Sequence, residues 1–152
     1  MATVNVYFDQ SGEFLIIPFS ENEIGMWTAV NKPERLDWDG IAAKELGDKI
    51  LKSLDVSKNS VGPPIDQGPD VFELATGAKS WRAFAKTRQM VNIDTDDGRL
   101  QVAFWRRNAT FGYESLKDDP SEWTATLPFD ASAEAVGSAV IQVLRAANVA
   151  GV

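Results

Sequence analysis

Leu46-Gly47-Asp48-Lys49-Ile50-Leu51-Lys52-Ser53-Leu54 and, 90 positions further on, Val136-Gly137-Ser138-Ala139-Val140-Ile141-Gln142-Val143-Leu144 carry one pattern twice. In each stretch apolar residues return every four positions, the spacing of an amphipathic helix with one buried stripe. Each places a glycine inside the helix, although glycine there costs about 1 kcal/mol against alanine. A penalty accepted twice at equivalent positions predicts that the two helices pack closely where the glycines lie. The first helix is expected to begin near Ile41 behind Asp39, whose carboxylate can accept from free amide groups, with Lys44, Lys49 and Lys52 off the stripe. The second follows Ser132 as its cap, and Ala147 extends its stripe.

Upstream of each helix the same order of elements recurs. Val4-Asn5-Val6-Tyr7-Phe8 reads as a strand and Asp9-Gln10-Ser11-Gly12 as a turn. Phe14-Leu15-Ile16-Ile17 returns as a strand closed by Pro18, so the pair predicts a hairpin. Met90-Val91-Asn92-Ile93, the turn Asp94-Thr95-Asp96-Asp97-Gly98 and the alternating Leu100, Val102 and Phe104 repeat it. Val4-Asn5-Val6 aligns with Val91-Asn92-Ile93, and Gly12 with Gly98. Further strands are expected over Met26–Val30, Leu36–Trp38, Thr110–Tyr113 and Trp123–Leu127. The fold class that results is α+β: an antiparallel sheet with helices packed on one face, built from two pseudo-repeated strand-strand-helix halves.

Residues 55–70 lack apolar periodicity and hold three prolines and two glycines, which predicts a long loop between the halves. Phe72 and Leu74 are expected to re-enter the core. A short helix from Trp81 to about Thr87 follows Ser80, with Trp81, Phe84 and Ala85 inward and Arg82 and Lys86 outward. The 152 residues fit one domain, spanning 1–152, that needs neither metal nor disulfide to fold.

Composition narrows the chemistry. The sequence has no cysteine and no histidine. That removes thiolate nucleophiles, disulfides, thiolate metal sites, the commonest zinc ligand and the side chain best matched to proton transfer near neutrality. No cofactor or metal is expected. No apolar run approaches the length of a membrane span, and no secretory signal is visible, which points to a cytoplasmic protein without membrane contact. The net charge is −7. Residues 1–75 hold 6 Lys+Arg against 13 Asp+Glu, whereas residues 76–152 hold 9 of each, so the acidic excess lies in the first half. Nucleic acid demands phosphate neutralisation that such a chain supplies poorly. A basic protein partner suits it better.

The remaining clusters favour structure over catalysis. Asp94, Asp96, Asp97 and Gly98 resemble a calcium loop only in part: the EF-hand pattern needs an acidic residue six positions after its glycine, and Phe104 stands there. Asp118, Asp119 and Glu122 could supply paired carboxylates for hydrolysis, but a solvated loop explains them more simply. A carboxylate-dependent hydrolase and a protein-binding module unconnected with toxins are the alternatives to the reading below. Arg82, Lys86, Arg88, Arg106 and Arg107 form a modest basic group in a half of zero net charge. Prolines dominate the Gly62 and Gly68 segments, so no amide cradle for phosphate is expected.

The stretch Gly77-Ala78-Lys79-Ser80-Trp81-Arg82-Ala83-Phe84, the strands after it, Leu127-Pro128, and the final helix from Ser132 through Gly137 to Val140 resemble the immunity proteins of bacterial contact-dependent growth inhibition systems. The resemblance covers roughly residues 41–147 in order. It implies a cytoplasmic antidote, not an enzyme, that binds the C-terminal toxin domain of a cognate effector and blocks it. Many such toxins are nucleases with basic surfaces. The resemblance carries no binding residues over position by position. The interface expectation therefore rests on loops and charge: Asp66, Asp70 and Glu73 in the proline-rich segment, and Glu21 and Glu23 in the turn near Trp27.

Overall fold

The computed structural model of the protein describes residues 1–65 and 70–152. The chain runs β1 (Thr3–Asp9), β2 (Glu13–Glu21), β3 (Trp27–Ala29), β4 (Glu34–Asp37), α1 (Ala43–Asn59), α2 (Val71–Thr76), α3 (Trp81–Ala85), β5 (Arg88–Asp96), β6 (Arg99–Arg107), β7 (Tyr113–Glu114), β8 (Thr124–Pro128) and α4 (Ala133–Ala146). All strand pairings are antiparallel. This is the α+β fold expected from the two hairpin-and-helix halves.

The halves meet at the centre of the sheet, where β1 pairs with β5. Asn5 stands directly opposite Asn92, and Asn92 Nδ2 donates to Asn5 Oδ1 at 2.9 Å. Outward from this pair the order is the same in both directions. β2 flanks β1 and carries both β3 and β4; β6 flanks β5 and carries both β7 and β8. The aligned asparagines therefore sit on a pseudo-twofold axis.

One face of the sheet meets α1 and α4. Val4, Val6, Phe8, Phe14, Ile16, Val91, Ile93, Leu100, Val102 and Phe104 pack there against Leu46, Ile50 and Leu54 of α1 and Val136, Val140 and Leu144 of α4. The glycines explain how closely the helices approach. A Cβ on Gly47 would lie 1.6 Å from the Ala133 carbonyl oxygen, and one on Gly137 would lie 1.8 Å from that of Ala43. The contact is reciprocal under the same 90-residue offset that aligns the sequences. The opposite face is covered at one end by α2 and α3. Tyr7, Leu15, Ile17 and Met90 meet Val71, Phe84 and Ala85 in a second, aromatic-rich core. Tyr7 makes edge-to-face contacts with Phe72, Phe84 and Tyr113 at 5.7, 5.0 and 5.8 Å.

Several boundaries depart from expectation for definable reasons. Pro18 does not close β2, which continues to Glu21. It falls between the stretch paired with β4 (residues 13–16) and that paired with β3 (19–21), where its missing amide interrupts no ladder. The long loop is shorter than 55–70, because α1 runs on to Asn59. Ser57 anchors that last turn, accepting from the Thr3 amide at 2.8 Å and donating to the Phe19 carbonyl. Leu74 does not re-enter the core and is 62% exposed, since the six-residue α2 turns Val71, Phe72 and Ala75 inward instead. Trp81 sits at the rim of the aromatic core, stacked on Phe84 and donating from Nε1 to the Phe111 carbonyl at 2.7 Å. The expected strand 110–113 is mostly a turn. Asn108 Oδ1 accepts from the Thr110 and Gly112 amides, Phe111 adopts a positive φ of 64°, and pairing starts only at Tyr113. The Asp39 carboxylate does accept, from the Ile41 and Ala42 amides, but α1 itself begins at Ala43.

Candidate protein-interaction surface

The turn between β2 and β3 is built around Asn22. Its Oδ1 accepts from the backbone amides of Ile24 and Met26, both at 3.0 Å, and the Asn22 backbone amide donates to the Met26 carbonyl at 2.7 Å. These bonds fix a tight tip that turns Ile24, 77% exposed, and the half-exposed Met26 outward. Trp27, opposite Glu21 on β3, is also partly exposed.

The segment after α1 lies across this hairpin. The Gly62 amide donates to the Glu21 carbonyl at 2.9 Å, and Thr28 Oγ1 donates to the Pro63 carbonyl at 2.8 Å. Gly62 is required by proximity: a Cβ there would fall 2.2 Å from the Ser20 carbonyl oxygen and 2.3 Å from Thr28 Oγ1. Val61, 69% exposed, and Ile65 are thereby set beside Ile24. Together with Asn22, Glu23 and Pro64 they line a hollow of about 300 Å³. Asn22 is buried, and its Nδ2 has no hydrogen-bond partner among the described residues. Neither Glu21 nor Glu23 forms an ion pair among those residues.

The turn and the proline-rich segment were separate expectations in the sequence, and the fold brings part of each together. Glu23 lines the hollow and Glu21 anchors the Gly62 amide beside it. Asp70 and Glu73 do not line it. Asp70 caps α2, accepting from the amides of Phe72 and Glu73, and Glu73 is exposed in the first turn. Asp66 lies outside the described residues. The apolar members Ile24, Val61 and Ile65 were missed, although an apolar Ile24 inside a turn flanked by Glu23 and Gly25 is itself an unusual signal. A second hollow, of about 280 Å³, lies between Trp38 and Ile41 on one side and Ile141 and Arg145 on the other.

Several of the charged groups raised by the sequence for other chemistry are engaged within the fold. Asp119 pairs with Arg106 and accepts from the Leu116 amide. Asp94 Oδ1 accepts from Thr3 Oγ1 at 2.7 Å. Arg107 donates to the carbonyls of Ala85 and Lys86 at the end of α3 and of Arg88 at the start of β5, and Arg88 pairs with Asp9 at 3.2 Å. Burial pushes the Asp9 carboxyl up, but hydrogen bonds from Ser11 together with Arg88 and Thr87 outweigh it and hold the group below its usual range. Among the described residues no cluster of three or more acidic side chains could hold a metal ion, and no helix is long and apolar enough to cross a membrane.

No family model matches the sequence, and no curated protein matches it. Solved structures do. One is described as a protein of unknown function, NMB0488, from Neisseria meningitidis; it is 19% identical, with a TM-score of 0.67 over 95% of this chain and 94% of that one. Another is a chain of the CdiA-CT/CdiI toxin and immunity complex from Yersinia pseudotuberculosis, 14% identical, with a TM-score of 0.69 over 95% of both chains. At these identities the likeness establishes a shared fold.

Proposed function

We propose that this protein is an immunity protein that binds the C-terminal toxin domain of a contact-dependent growth inhibition effector and neutralises it without catalysis. The observation that carries the reading is the likeness, over 95% of both chains, to a chain of a toxin and immunity complex. Two independent features support it. The final-helix pattern Ser132–Val140 resembles that of such immunity proteins, and an apolar hollow stands exposed next to carboxylates that form no ion pair among the described residues. Exposed apolar surface beside a polar rim marks protein contact in molecules of this size. The toxin is read as a nuclease acting in the cytoplasm. Such an enzyme must carry basic surface to hold phosphates, and an inhibitor of net charge −7 gains a fast encounter with it.

Expression in cells separates this reading from its competitors. The chain alone is expected to be harmless, to restore growth when co-expressed with the C-terminal domain encoded directly upstream, and to form a one-to-one complex with it. Toxicity of the chain itself would assign it to the opposite side of such a pair. A harmless upstream domain, or growth arrest that the chain does not relieve, would remove the immunity role.

A further inference from the structure

We propose that the hollow between the β2–β3 turn and residues 61–65 receives a cationic loop of the partner protein, led by one aliphatic side chain. The inference rests on the protein-binding reading above and adds the place of contact and the chemistry of what enters.

Size is the first argument. Pockets that enclose small molecules run from roughly 300 to 1,000 Å³ and surround the ligand with several convergent polar groups. This hollow, of about 300 Å³, is at the bottom of that range, and Ile24, Val61, Pro64 and Ile65 make its wall largely apolar. An aliphatic side chain matches it in size and polarity.

Charge is the second. Glu23 lies on the rim and Glu21 beside it, both exposed and without a cation among the described residues. They belong to the half of the chain that carries the whole acidic excess. Lysine or arginine on either side of the entering aliphatic residue would meet them, and water excluded by the apolar wall would strengthen those contacts.

The third is an unfinished hydrogen-bond set. Asn22 Oδ1 is satisfied by two backbone amides, which fixes the orientation of its side chain and leaves Nδ2 as a buried donor with no acceptor among the described residues. A buried donor left unpaired is destabilising. Asn22 lines the hollow, so a shift of the turn on binding brings this donor to a carbonyl of the entering loop. Because the turn and Gly62 are already held by backbone hydrogen bonds, little ordering is needed on this side of the contact.

Calorimetric titration of the full chain with the C-terminal domain encoded directly upstream tests the assignment. Ile24→Asp and Val61→Asp are each expected to weaken binding by about tenfold or more, as for a residue at the centre of a contact. Glu21→Lys with Glu23→Lys should weaken binding and flatten its dependence on salt. Ile41→Asp, in the other hollow, should bind as wild type. Thermal melts establish that each variant folds, and Val61→Ser replaces any aspartate variant that does not. Wild-type binding that survives Ile24→Asp and Val61→Asp unchanged would overturn this surface while leaving the immunity role standing. Absence of wild-type binding would overturn both.

Discussion

Gly47 and Gly137 hold the two long helices together by having no side chain. Each sits against the backbone carbonyl of the other helix, and a methyl group would overlap an oxygen that cannot rotate away. Alanine at either position gains about 1 kcal/mol of helix propensity. It also forces the helices apart over the core they share, and overpacking of this kind costs about 1–3 kcal/mol or more. We expect Gly47→Ala and Gly137→Ala each to lower the urea midpoint. The double variant should lose less than the sum, because the first methyl already separates the helices. Tyr7 and Tyr113 give a second expectation at this scale. Burial pushes the Tyr7 phenol far above its ordinary value, outweighing the hydrogen bond from Asn5. Burial pushes Tyr113 up to about 12, outweighing Arg107 and Arg88, and its hydroxyl donates to the Arg88 carbonyl at 2.8 Å. Both folded groups keep their protons to higher pH than the unfolded chain does. Their contribution is complete below about pH 10 and is lost as the pH rises through the folded values. Melting temperature should therefore drop above pH 10, with delayed tyrosinate absorbance in the folded protein, and Tyr7→Phe should make that drop shallower.

Among the elements, α1 differs most from its reading in sequence. Asp55-Val56-Ser57-Lys58-Asn59 has the polarity of a loop, yet it forms the last turn of the helix. Two strands compensate for the weak local preference. Ser57 Oγ bridges the Thr3 amide of β1 and the Phe19 carbonyl of β2, and the Ser57 carbonyl accepts from Ser20 Oγ at 2.8 Å. Ser57→Ala leaves a part-buried amide and carbonyl without their partner, so a loss of roughly 1 kcal/mol is expected. Hydrogen exchange provides the local readout: the Thr3 amide should lose protection while amides in β6 keep theirs, apart from any global change. The same helix end determines where Val61 and Gly62 leave it, so this variant should also loosen the hollow. α4 behaves more simply. Ser132 accepts from the Ala135 amide at 3.2 Å, and the apolar stripe that follows is buried as its spacing predicts.

For the molecule as a whole, pseudo-twofold symmetry and charge asymmetry coexist. The two halves share topology about the Asn5–Asn92 pair, but the first holds the full −7 and the second balances. Symmetric packing with asymmetric charge separates the requirements of folding from those of recognition: the core glycines and sheet positions repeat, while the surface charge differs between the halves. On the immunity reading, the association rate with the toxin domain should fall steeply as salt is raised, while the dissociation rate changes much less. Stopped-flow measurements across a salt series distinguish this from a purely apolar contact, for which both rates would be nearly flat.

Periodicity in the chain was enough to establish the two hairpins, the two long helices, their glycines and the α+β class, because a period of two or of about four is a property of neighbouring residues. Loop and charge reasoning also singled out Glu21 and Glu23; both are exposed, Glu23 in the turn and Glu21 at the end of β2. The hollow itself was not legible. Ile24 and Val61 are 37 positions apart, and nothing local says that Gly62 will lie against Ser20 and Thr28. Nor could local rules show that Pro18 falls in the gap between two edge strands, or that Ser57 finds partners on β1 and β2. Those outcomes depend on contacts between distant segments, whose energies appear only once the sheet and its helices have closed on one another.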